Sequence, residues 1–255
     1  MKLEVKNACY AYGKTNVWDD ICFEVASGEV LAILGPNGVG KTTLLKSIMN
    51  ILTLKTGVAL LDGRDIKTLT PKELWKYIAY VPQAKKGSAT NVRDMIVLGR
   101  SAHIPVFGQP TAKDYEMADS IINRLGITHI AHKNCNEISG GELQMVLIGR
   151  ALIGEPEILI MDEPESNLDY KNQLQVLSII KELAGKTTCI LNTHYPEHAL
   201  RYADKALIVC KGKTVFGNVD DVITSEHLKE AFQIDVFIGK QEINGEQHSF
   251  IVPLG

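Results

Sequence analysis

Val30-Leu31-Ala32-Ile33-Leu34-Gly35-Pro36-Asn37-Gly38-Val39-Gly40-Lys41-Thr42 decides the fold. Its five leading apolar residues read as a short strand buried on both faces, as in the centre of a mostly parallel sheet. The next eight match G-x-x-x-x-G-K-[ST] in full. Leu44, Leu45, Ile48 and Ile51 follow at helical spacing, so a helix is expected over Thr42 to Ile51. Strand, glycine turn, helix is the order of a phosphate-binding βα unit. Glycines let the chain curl so that successive N–H groups converge on phosphate oxygens. The helix start adds the positive end of its dipole. Lys41 can reach the β- and γ-phosphates, and the Thr42 hydroxyl can ligate Mg²⁺. Gly35, Pro36, Asn37, Gly38, Val39, Gly40, Lys41, Thr42 and Thr43 are therefore the candidate nucleotide-phosphate residues.

Upstream, Leu3, Val5, Ile21, Phe23 and Val25 alternate as half-buried strands around a Gly13-Lys14-Thr15-Asn16 turn. Downstream, Thr70-Pro71-Lys72-Glu73 carries a cap, a first-turn proline and a capping-box glutamate, so a short helix should lead into a strand over Tyr77–Val81. Residues 85–111 read as irregular, and a helix is expected from Asp114 to Leu125. Apolar strands are expected at Glu157–Met161 and Thr187–Leu191, with an amphipathic helix from Lys171 to Ala184 between them. A hairpin around Gly212 follows. The alternation gives an α/β class with a mostly parallel sheet, an N-terminal antiparallel β subdomain and an inserted helical subdomain at about 85–155. Beyond about residue 225 the pattern weakens, and 226–255 is an extension without a functional reading.

Composition narrows the function. In 255 residues, 27 Lys+Arg against 30 Asp+Glu leave a net charge of −3, which gives no electrostatic case for nucleic acid or for an anionic lipid surface. The five cysteines are scattered and form no CxxC motif, so a reducing compartment and small buried thiols such as Cys189 are expected. Met1–Lys6 alternates apolar and charged residues, unlike a signal peptide. Apolar runs of about five residues fall far short of the ~20 that a membrane span needs.

Three further segments carry chemistry. Ile158-Leu159-Ile160-Met161-Asp162-Glu163 is an apolar strand ending in two adjacent carboxylates. Strand neighbours point to opposite faces, so the two cannot share a task. One suits Mg²⁺ and the other suits the water that attacks a γ-phosphate. A solvated strand end is the plain alternative, which the phosphate loop makes the weaker one. Ile138-Ser139-Gly140-Gly141-Glu142 starts a helix, with Ser139 as its cap. His194 follows the strand and Asn192-Thr193, as a polar strand cap or as a phosphate contact.

In these motifs and their order, residues 1–225 resemble the ATP-binding cassette (ABC) family of ATPases. The resemblance implies a P-loop NTPase core that binds ATP and Mg²⁺. Gly35–Thr42 corresponds to the family's Walker A loop. Asp162 corresponds to the Walker B aspartate and Glu163 to the general base. Gln83 sits at the Q-loop, a catalytic position that also reaches the metal and the membrane partner. Ser139, Gly140 and Gly141 look like the signature that clamps ATP held by a second copy. Asp169, in Ser166-Asn167-Leu168-Asp169, looks like the D-loop, and His194 falls at the switch histidine. Tyr12 lies where an aromatic ring stacks on adenine, with Tyr10 two residues away on the same strand face.

Ile138, Glu142, Met145, Glu165 and Tyr195 depart from the family's commoner residues, and none of them is a group that touches phosphate. Val92–Arg100, His103 and Phe107-Gly108, with Glu157–Asp169 and Lys171–Leu174, resemble the ATPases of ferric siderophore, haem and cobalamin importers. The expectation is an ATP-hydrolysing homodimer on the cytoplasmic face of the membrane. It would dock on transmembrane permease subunits, serve an extracytoplasmic substrate-binding protein indirectly, and need no nucleic acid. The segment from Gln83 to Gly108 would carry the signal to the membrane. Other ABC transport, and ABC ATPases of DNA repair or translation, are the alternatives. A P-loop kinase has no use for Ser139-Gly140-Gly141.

Overall fold

The computed structural model describes residues 1–85, 87–105, 107–243 and 245–254. Lys86 and Val106 of the 83–108 segment, and Asn244 and Gly255 of the extension, lie outside the described residues. The chain divides into two compact units, Met1–Thr68 with Ile180–Gly255, and Leu69–Ile179.

The first unit opens with β1 (Leu3–Tyr12) and β2 (Thr15–Val25), an antiparallel hairpin with Leu3 opposite Val25 and Tyr12 opposite Thr15. The alternating apolar residues of both strands are buried, as their spacing predicts. β3 (Val30–Leu34), α1 (Lys41–Ile48), β4 (Thr56–Leu61) and the two-residue β5 (Arg64–Asp65) follow. β4 pairs with β1, giving an antiparallel sheet in the order β2-β1-β4-β5. Helix α1 is shorter than the apolar spacing implies. Asn50 turns left-handed at φ +54°, and the Ile51 N–H reaches back to the Lys46 carbonyl at 2.9 Å. That is how an αL residue ends a helix, and it leaves Ile51 exposed outside it.

The second unit contains α2 (Pro71–Tyr77), β6 (Ile78–Val81), α3 (Val92–Val97), α4 (Ala112–Arg124), α5 (Gly140–Leu152), β7 (Ile158–Asp162) and most of α6 (Tyr170–Leu183). The Thr70–Glu73 capping box forms as expected. Tyr77 ends α2 instead of starting the strand. β6 and β7 pair in parallel, Val81 opposite Met161. The stretch expected to be irregular contains α3, capped by Asn91. Six residues are too few to display a helical period. At Gly99 an added Cβ would lie 1.8 Å from the Arg150 carbonyl oxygen, so only glycine lets α5 approach there.

The first unit resumes with β8 (Thr188–Asn192), α7 (Pro196–Tyr202), β9 (Lys205–Cys210), β10 (Lys213–Asn218), α8 (Val219–Val222), α9 (Ser225–Phe232), β11 (Asp235–Ile243) and β12 (Glu246–Leu254). β3 lies between β8 and β9 and is parallel to both, while β10 is antiparallel to β9. Every residue of β3 and β8 is buried. The extension is ordered too. α9 and the β11–β12 hairpin pack Leu228, Ala231 and Val236 against Ala32, Leu34 and Ile208. Cys189 is a buried free thiol, as expected, whereas Cys22 is exposed.

Candidate active site

In the first unit Ile33 of β3 pairs with Asn192 of β8. Gly35 and His194 thus leave the same edge, each two residues past that pair, and the Thr193 N–H extends the pairing by bonding the Ile33 carbonyl at 3.1 Å. The carboxyl edge of parallel strands is where open α/β sheets hold ligands. The loop between β3 and α1 needs its glycines. Gly35 stands at φ +147°, and an added Cβ would come 2.1 Å from the Val209 carbonyl oxygen. Gly40 stands at φ +103° against Val17 and Trp18, and the Trp18 indole donates to its carbonyl at 3.3 Å.

Lys41 is buried at the start of α1. Its Nζ donates to the carbonyls of Gly35 at 2.8 Å and Pro36 at 3.0 Å. The loop therefore closes around its own ammonium, with Asn37 and Gly38 exposed at its tip. A curl that no side chain could fill, holding a cation, fits a phosphate oxyanion. Thr42 and Thr43 follow in the first turn of α1, half-buried. Of the two candidate aromatic rings, Tyr10 is buried at 8% exposure and Tyr12 is 57% exposed, so Tyr12 is the one free to stack on a ligand. Their rings meet edge to face at 5.0 Å. His194 is half-buried.

In the second unit β7 ends at Asp162, and Asp162 and the following Glu163 take separate partners. Asp162, 8% exposed, accepts from the Tyr80 hydroxyl at 3.1 Å. Burial, and then the Asp162 charge, push the Tyr80 phenol well above its ordinary range, so it stays protonated and donates. Glu163 lies beside Gln83, whose Nε2 is 3.5 Å from Oε2, and accepts from the Ser166 hydroxyl at 3.3 Å. Carboxylate and hydroxyl oxygens are the hard ligands that Mg²⁺ takes, so Thr42 and Asp162 fit that ion chemically.

Ser139 and Gly140 are exposed, and an added Cβ at Gly140 would meet nothing within 4 Å. Ser139 caps α5 in a full capping box with Glu142. Asn172 of α6 crowds Gly141, where an added Cβ would lie 2.5 Å from its Nδ2. Asp169 caps that same helix, accepting from the Asn172 N–H at 2.8 Å. Gln173 braces the preceding loop through the carbonyls of Glu165 and Leu168. Of the departing residues, Met145 and Glu165 are buried, and the Tyr195 ring packs on His198 with centroids 4.8 Å apart.

Sequence reasoning missed two residues. Tyr80 holds Asp162, and Gln144 grips both sides of Gln83, accepting from the Ala84 N–H at 2.9 Å and donating to the Pro82 carbonyl at 3.4 Å. The legible signal for Gln144 was an amide between core residues Leu143 and Met145. Nothing local marked Tyr80.

Comparison with known proteins follows the same lines. Residues 18–166 match the ABC transporter family. An uncharacterised ABC transporter ATP-binding protein of Methanocaldococcus jannaschii is 40% identical over 100% of this chain and 99% of its own. A molybdate import ATP-binding protein of Haemophilus influenzae is 33% identical over 99% of this chain and 96% of its own. A solved ABC transporter assigned to the metal-chelate type, in an inward-facing conformation, superposes with a TM-score of 0.88 at 32% identity. It covers 99% of this chain and 97% of that one.

Proposed function

The chain belongs to the ABC transporter family, and from that premise we propose that it hydrolyses ATP to power an importer of a metal chelate, working as two copies that close on ATP. The observation that carries the two-copy reading is the exposed, uncovered N-terminus of α5. A helix of 13 residues begins there with Ser139 and Gly140 exposed and Gly141 half-buried, and its first N–H groups are donors. Such donors suit an anion. A second copy would bring them to the γ-phosphate of an ATP that Lys41, Thr42, Thr43 and the loop amides already hold.

Each residue then has a role. Tyr12 stacks on the base, and Lys41 with the Gly35–Gly40 loop binds the phosphates. Thr42 and Asp162, with Gln83, would hold Mg²⁺, which would supply positive charge against the triphosphate. Glu163 takes the proton of the attacking water, Gln83 fixes Glu163, and His194 donates to the γ-phosphate. Asp169 touches the second copy's nucleotide side. Loss of the γ-phosphate removes charge-assisted hydrogen bonds, and the two copies part.

A membrane permease is the proposed partner. No helix among the described residues is long and apolar enough to cross a membrane. A groove of about 530 Å³ in the second unit, lined by Trp75, Leu98, Ile104 and Pro105, suits an apolar helix of such a partner. Phe107 stands fully exposed beside that lining in sequence. The chain would thus sit on the cytoplasmic face, with a substrate-binding protein acting on the far side. A ferric siderophore, haem or cobalamin is the proposed cargo, supported by the metal-chelate transporter; the molybdate relative supports an oxyanion as the second reading.

Glu163→Gln tests the mechanism. With Mg²⁺ and ATP it should elute from a sizing column at twice the chain mass, and turnover should fall by about 10²–10⁴-fold. Elution as one chain at saturating ATP would overturn the two-copy reading.

A further inference from the structure

Ser139 is closed upon its own helix. Its Oγ donates to Glu142 Oε2 at 2.8 Å, its N–H reaches the same oxygen at 2.8 Å, and the Glu142 N–H returns to Oγ at 3.3 Å. A hydroxyl has one proton. While Glu142 is ionised that proton is committed to it, and the carboxylate lies 2.8 Å from the hydroxyl that the second copy's ATP would need. The hydrogen bond from the Ser139 N–H, more than any other influence, keeps the Glu142 carboxyl below its ordinary range. The box therefore opposes an incoming anion in both proton direction and charge.

His129 supplies the counterweight. Its Nε2 is 2.9 Å from Glu142 Oε1. A carboxylate only accepts, so Nε2 carries hydrogen. The side chain is 62% exposed, so the position accepts substitution without disturbing a packed core. Arg93 is engaged by Asp119, which also feels His132, and Arg100 by Asp114, on the segments that pack along α5. The side chain that α6 brings against Gly141 is the neutral Asn172.

We propose that Glu142 and His129 are positioning residues that set the availability of the Ser139 hydroxyl to an ATP held by the second copy. This rests on the two-copy reading. A positive charge at position 129 cancels that of Glu142 and loosens the carboxylate's claim on the hydroxyl. The Ser139 proton then turns outward to a phosphate oxygen. With no charge at position 129, the uncompensated carboxylate repels the triphosphate. Pairing of two copies on ATP is thus tighter when the side chain beside Glu142 carries a positive charge.

The test measures ATP-driven pairing of the full-length Glu163→Gln chain by sedimentation, with Mg²⁺ and ATP saturating. Added His129→Lys, which keeps a cation beside Glu142, should pair about three- to tenfold more tightly than added His129→Asn, the size of one charge altered at ~6 Å in a medium between protein and water. Added Glu142→Gln keeps the helix cap but removes the charge, and should pair as tightly as the His129→Lys chain. Equal pairing of the His129→Lys and His129→Asn chains would overturn the assignment while leaving the two-copy reading intact. Absence of pairing in every chain would overturn both.

Discussion

Glu163 holds its backbone at φ +50°, a left-handed conformation that a non-glycine residue adopts at a cost of about 1 kcal/mol or more. The turn sends its carboxylate to Gln83 and Ser166 while Asp162, one residue earlier, faces Tyr80. Separate partners for the two carboxylates were expected from strand alternation, but β7 ends at Asp162 and it is the turn at Glu163 that parts them. The partners themselves were not legible, because Tyr80 lies 82 residues before Asp162 and only the parallel pairing of β6 with β7 brings them together. Tyr80→Phe removes one hydrogen bond to a charged group and leaves the ring in place. The expected result is an apparent Mg²⁺ affinity lower by about 10-fold, the usual size of a lost outer-shell contact, with ATP binding in the absence of Mg²⁺ unchanged. A Mg²⁺ titration of ATPase activity, set beside nucleotide binding in chelator, reads both.

Helix ends show what a local sequence can specify. Thr70-Pro71-Lys72-Glu73 was readable as a start because its three signals coincide within four residues, whereas Thr111 was read as the end of the irregular stretch and Asp114 as the first helical residue, although the two form the same device. Helix α1 ran short of its apolar spacing because Asn50 turns left-handed, a choice the spacing does not encode. The α4 cap makes a pH prediction. The Thr111 N–H and hydroxyl, and after them Arg100, hold the Asp114 carboxyl at about 2. A free aspartate titrates near 3.9. A depressed folded value means that the stabilisation is complete above the unfolded value and disappears as pH falls through the folded one. Asp114→Asn should therefore be less stable than the parent at neutral pH, and the gap should narrow between about pH 4 and about pH 2. Thermal melts of the two chains across that window measure it.

At the scale of the molecule, the buried strands β3, β7 and β8 were legible because short continuous apolar runs, five residues in β3, four in β7 and three in β8, have few other uses. The C-terminal extension was not. Phe237, Phe250, Val252 and Leu254 are exposed on a hairpin whose other face supplies Val236 to the core, so apolar residues occupy both faces and the period of two is erased. Leu228, 1% exposed, joins α9 to the layer on β3 and β9. Leu228→Ala should cost about 2–5 kcal/mol, the range for a truncated core leucine. Denaturant unfolding reads the loss; a change below about 0.5 kcal/mol would mark residues 226–255 as an appendage rather than part of the first unit's core.

One helix ties two of these observations together. Ser139 caps α5 and Gln144 clasps the backbone on either side of Gln83, so five residues, about 7.5 Å of stiff rod, separate the two grips. A rod does not stretch. Any tug on the 82–84 backbone is delivered to the serine undiminished, and any load on the serine travels back the same way. The molecule thereby owns a lever whose two ends cannot move independently.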